Sequence, residues 1–95
     1  VKRDYKQQII SLVESCKKAA SEGATIEDIR VSILPARLRE VIRQLSPQDF
    51  LSWIRDDREY SFFYYDAEED RVCAKPAEAA AMILEKIVLD NLEPY

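Results

Sequence analysis

Two cysteines, eighteen carboxylates and fourteen cationic side chains are what this 95-residue chain offers for chemistry, and it contains no histidine. Without imidazole, the commonest general base at neutral pH and the commonest zinc ligand are both missing, and no Ser–His or Cys–His nucleophile can be assembled. A single glycine, Gly23, rules out a glycine-rich phosphate loop. Cys16 and Cys73 do not make a zinc site, nor the disulfide framework of a small secreted domain. They predict an intracellular, reducing compartment, cytoplasm or nucleus, with both thiols as small apolar packing groups. The acidic run Asp66 to Asp70 lacks the alternating oxygen ligands and central glycine of a calcium loop and reads as a solvated turn. Nothing in the sequence fixes two carboxylates at a cleft, so the chain reads as non-catalytic, with no cofactor, metal or small-molecule substrate.

Charge is the other chemical resource. Up to residue 55 the chain carries ten basic and seven acidic side chains; from residue 56 on it carries four and eleven, so a net charge of −4 conceals two halves of opposite sign. Phosphate binding would have to use the first half. Lys17, Lys18, Arg37, Arg39 and Arg43 are the candidates for an RNA or DNA contact, with the three arginines on one helix as a recognition helix would place them. Against that, Glu40 neutralises part of the face, and the acidic run 66 to 70 would repel a nucleic-acid backbone.

The elements that must position these groups are mostly helical. Tyr5, Ile9, Leu12, Val13, Cys16 and Ala20 recur at steps of three and four and predict a helix from Asp4 to Ser21. Gly23 stands where a left-handed cap is needed, and Thr25 with Asp28 forms a short version of the capping box. A second helix lined by Ile26, Ile29 and Ile33 follows, and Pro35 is expected to stop it, because proline disfavours helix in the residue before it. Pro35 then opens a third helix with Leu38, Val41, Ile42 and Leu45 as its stripe, so residues 34 and 35 form a tight turn between two helices. Ser46 and Pro47 start a short fourth helix carrying Phe50, Leu51 and Ile54. Tyr60 to Tyr65 is nearly all aromatic and reads as a strand, returning through the acidic turn to a second strand at Val72 to Ala74. The last helix starts at Pro76 and runs to Leu92 with Ala80, Ile83, Leu84, Ile87 and Val88 on one broad face. No apolar run is long enough to span a bilayer. Residues 1–95 thus predict a single, mainly α domain with a small β-hairpin, a winged helix of four helices, a wing and a C-terminal helix. The initial Val1 suggests a piece of a longer protein.

Within that class the Thr25-Ile26-Glu27-Asp28-Ile29 helix opening, the Leu38 to Leu45 helix and the Asp49-Phe50-Leu51 segment followed closely by Phe62, Phe63 and Val72 resemble the LOTUS domains, also called OST-HTH. The likeness spans roughly residues 5 to 75. It departs from the family at Leu45-Ser46-Pro47, where a glycine-containing segment is usual. The resemblance implies a non-catalytic module of an RNA-regulatory protein that docks a protein partner, a DEAD-box RNA helicase or a second copy of itself, or binds RNA directly. The helix 76–92 looks like the extension some members carry. The surface expected to dock a partner combines Trp53, Phe63, Tyr65, Ile83 and Ile87, working by apolar burial with charges around it.

Overall fold

In the computed structural model, which describes residues 5–57, 59–60, 65–66, 71–72 and 75–92, the first corner is built by the residues whose local chemistry is most demanding. Helix α1, Lys6–Ser21, ends at Glu22, after which Gly23 takes φ +107°, a conformation that costs a residue with a Cβ and not glycine. Its N–H reaches the Ala20 carbonyl and that of Ala24 reaches Ala19, each at 3.1 Å, which is the paired arrangement of a Schellman cap. The next helix opens at once: the Asp28 N–H donates to Thr25 Oγ1 at 3.0 Å and the Thr25 N–H donates to Asp28 Oδ2 at 3.2 Å. Both bonds of the capping box are therefore present, and they satisfy donors that a helix start otherwise leaves unpaired.

The turn expected at Leu34 and Pro35 is absent. Helix α2, Ile26–Asp28, passes through a π-helical segment, Ile29–Ile33, into α3, Leu34–Gln44, without leaving helical backbone; Ile33 and Leu34 have φ/ψ of −72°/−51° and −64°/−44°. The physical reason lies in the hydrogen-bond ladder. Leu34 N–H bonds the carbonyl of Ile29, five residues back rather than four. A proline inside an α-helix removes a donor and crowds the carbonyl four residues earlier, and a widened turn just before it shifts the ladder by one residue. Arg30, Val31 and Ser32 are exposed on this segment, so carbonyls that lose a helical partner can turn to water. The result is one continuous rod from residue 26 to residue 44 in place of two helices and a turn.

Helix α4, Pro47–Ile54, begins with Pro47 in its first turn; Ser46 stands at its N-cap without a side-chain cap bond, and its carbonyl accepts from Phe50 N–H at 2.9 Å. Phe50, Leu51 and Ile54 are buried, as their spacing predicts. Beyond it, Tyr65–Asp66 (β1) pairs antiparallel with Arg71–Val72 (β2), Tyr65 opposite Val72 and Asp66 opposite Arg71. The remaining parts of the expected hairpin, including the acidic turn and Cys73, lie outside the described residues.

Helix α5, Pro76–Leu92, is the axis of the fold. It packs against α1, α3 and α4, and Ala79, Ala80, Ile83, Leu84, Ile87, Val88 and Leu92 are all buried. The described residues thus form a compact, all-helical body of four helical rods around one apolar core, with the short strand pair added to it. Tyr5, Phe50 and Trp53 close one end of the core, ring centroids 5.5 to 6.0 Å apart and two of the three pairs edge to face. Tyr60 pins the chain after α4 to the far half of α5, its hydroxyl donating to Asp90 Oδ2 at 3.3 Å while Lys86 Nζ approaches Asp90 Oδ1 at 2.7 Å. No helix among the described residues is long and apolar enough to cross a membrane.

Candidate functional site

Ile83 and Ile87, expected on a docking face, belong to the core: Ile83 is 0% exposed and Ile87 7%. The broad apolar face of α5 meets three other helices at once, so the surface read from sequence as available for a partner is used up inside the molecule. Trp53 is half-buried and packs against Tyr5 and Phe50, at the edge of the core. Of the hairpin residues, Tyr65 has its backbone in β1 and Phe63 lies outside the described residues. The proposed patch of five is therefore not assembled among the described residues.

The cationic candidates are all exposed, but they do not share a face. Residues 37 and 39 are two steps apart on a helix and point to different sides, whereas 39 and 43 are four apart and stack. Accordingly Arg37 lines a cleft of about 270 Å³ between α1 and α3, together with Ser11, Ser15, Glu40 and Gln44, while Arg39 and Arg43 face α5. Gln8, whose Oε1 is buried without a hydrogen-bond partner among the described residues, lines the same cleft. Lys17 and Lys18 are exposed on α1 and do not line that cleft. A single strip of five cations is not formed.

Between α3 and α5 the surface opens into a larger groove of about 690 Å³. Its floor is apolar, made by Pro35, Leu38 and Ile42 of one helix and Ala77 and Ala81 of the other. The two alanines matter because side chains ending at Cβ leave the depression between the rods unfilled. Arg39 and Arg43 rise along the α3 wall, Glu78 and Glu85 along the α5 wall. Lys75 Nζ lies 3.6 Å from Glu78 Oε1, an exposed pair that offsets only part of that wall's charge. One side is positive and the other negative, with an apolar strip between them.

Sequence reasoning missed this groove because its walls come from segments about forty residues apart. A signal was nevertheless present: Arg39 and Arg43 at i, i+4, and Ala77 and Ala81 at i, i+4, each flanking an apolar stripe. Cys16 is buried and reduced; burial pushes its thiol pKa up, with Arg37 opposing, so it is a packing group as its sequence context predicts and not a poised nucleophile. Comparison of the chain with family models, with curated proteins and with solved structures finds no match.

Proposed function

We propose that the chain is a non-catalytic docking module that recognises another polypeptide through the α3/α5 groove. The observation that carries this is the groove itself: an apolar floor open to solvent and bordered by fixed charges is what a helical segment needs for burial along its centre and selection along its flanks. The finer architecture we propose is a LOTUS-like domain with a wing in an RNA-regulatory protein, supported by the β1/β2 pair after α4, by the sequence likeness and by a C-terminal helix packed on the domain; it departs from a winged helix in having the continuous rod 26–44 where a helix-turn-helix corner would stand. The partner class that follows from the likeness is a DEAD-box RNA helicase or a second copy of the chain. Direct RNA or DNA binding ranks below this, because the three arginines divide between two faces of α3.

The test pairs two assays on the same variants. Ala81→Glu, which places a carboxylate on the groove floor, should abolish capture of protein partners from RNase-treated cell extract. The triple change Arg37→Glu, Arg39→Glu, Arg43→Glu should leave retention of structured RNA on filters as low as it was. If instead the wild type binds RNA with a log–log salt slope of roughly −3, lost in the triple variant, nucleic-acid binding replaces docking.

A further inference from the structure

Charges of opposite sign on the two walls narrow the occupant of the α3/α5 groove further than its apolar floor does. We infer that the groove takes an amphipathic α-helix of another polypeptide, acidic along one flank and basic along the other, in a single direction; this rests on the docking role proposed for the groove. Arg39 and Arg43 stand on one wall, Glu78 and Glu85 on the other. Among the described residues Arg39, Arg43 and Glu85 have no ion-pair partner, and Glu78 has only the exposed Lys75 at 3.6 Å. Acidic side chains four residues apart on one flank of the occupant meet the two arginines, and basic ones seven apart on the other flank meet the two glutamates, because helices lying side by side keep the same rise per residue. Turning the occupant end for end exchanges its flanks and sets carboxylate against carboxylate. The walls therefore fix direction as well as partner, since like charges opposed across an interface suppress the wrong pose. A helix with both flanks of one sign always meets one repulsive wall.

Shape agrees with charge. Two packed helices leave a furrow between them, and a third rod laid in it is convex where the furrow is hollow, with ridges entering grooves at interaxial distances of roughly 8–10 Å. The floor is high on the α3 side, where Leu38 and Ile42 stand, and low on the α5 side, where Ala77 and Ala81 end at Cβ. The occupant accordingly carries its long apolar side chains over the alanines and shorter ones over α3. Residues 35 to 43 and 77 to 85 each give a wall about 12 Å long at 1.5 Å per residue, so about two turns of the occupant make the contact. Such a contact is small and its charges are exposed, so binding is weak and weakens further with salt.

The test is a switch of preference among three labelled synthetic helices that share one apolar stripe and differ only in their flanks: one acidic and one basic, both acidic, or both basic. Fluorescence anisotropy against the 95-residue chain at low salt should show the mixed helix binding about tenfold tighter than either of the others, because exposed ion pairs each add little. The chain's net charge of −4 by itself would favour the basic-flanked helix, so preference for the mixed one reports the walls and not overall charge. Arg39→Glu with Arg43→Glu makes both walls negative and should transfer the preference to the basic-flanked helix. Glu78→Arg with Glu85→Arg makes both positive and should transfer it to the acidic-flanked one. Circular dichroism of each variant establishes that it is folded. Equal affinity for the three helices, or a preference that the wall changes leave unmoved, overturns the inference; if Ala81→Glu still abolishes that binding, the docking role stands. Failure of all three helices to bind also overturns it, and the docking role then stands or falls with the Ala81-dependent capture described above.

Discussion

The two helices that wall the groove, α3 and α5, use apolar residues in opposite ways. In α3 they are confined to a narrow stripe, with Leu34 and Leu38 buried, Val41 and Ile42 half-buried, and charged residues on the remainder. In α5 they spread around most of the circumference, and seven residues are buried against three neighbours. A wide apolar face therefore marks a helix at the centre of a small domain, and a narrow one marks a helix at its edge. The functional consequence is an inversion of what hydrophobicity alone suggests. The greasiest helix has little left to offer a partner, and the groove is made where its small residues pass beside the amphipathic one.

The contrast can be broken most severely at Ile83. Ile83→Ala should cost about 2–5 kcal/mol by chemical denaturation, because Ile83 is fully buried on the helix that packs against α1, α3 and α4 and its loss leaves a cavity in the core. If the loss is below about 1 kcal/mol, α5 is not the enclosed element described. Thr25→Ala removes the cap of the rod containing α3 and should cost about 1 kcal/mol without altering any groove residue. Its effect separates stability that α3 owes to its own start from stability it owes to packing. On the half-covered side, Ile42→Ala should cost less than Ile83→Ala, about 1 kcal/mol or below, since much of that side chain already meets solvent. Equal losses at the two isoleucines would abolish the distinction between the helices.

The tether between Tyr60 and the outer half of α5 gives a pH-dependent readout. Burial, with Glu59 and Asp90 adding to it, pushes the Tyr60 pKa up to about 12 from the ordinary 10. A folded-state pKa above the unfolded one favours the protonated form, so this contribution to stability is complete below pH 10 and is lost as the pH rises towards 12. Ultraviolet titration should show Tyr60 ionising late, and Tyr60→Phe should remove that late step. Smallest of all, Arg39→Glu with Arg43→Glu should change stability by no more than about 0.5 kcal/mol, because both side chains are exposed.

Much of the fold was legible where local chemistry leaves few choices. Gly23 at a positive φ, the Thr25/Asp28 box, and the prolines at 47 and 76 each mark a helix end or start that the backbone then adopts. Pro35 was misleading because proline disfavours continuation without forbidding it, and a π-helical turn lets the rod pass. Ala20, counted with the core stripe, is exposed because the stripe of α1 leaves the core as the helix ends. The site was less legible than the fold. Periodicity identifies which side of a helix is apolar but not whether a neighbour or a partner covers it, and that was the error at Ile83 and Ile87. The arginines were read as one patch because they lie close in sequence, although two steps along a helix separate Arg37 from Arg39 by more than half a turn.

The most direct test of the groove as the working surface is a pair of amide 15N–1H spectra of the 95-residue chain recorded with and without the protein that Ala81-dependent capture retains. Shifts confined to Arg39, Ile42, Arg43, Ala77, Ala81 and Glu85, the residues of the groove, are the predicted result. Shifts at Lys17, Lys18 and Arg37 with the groove unmoved, or no shifts at all, would contradict the account.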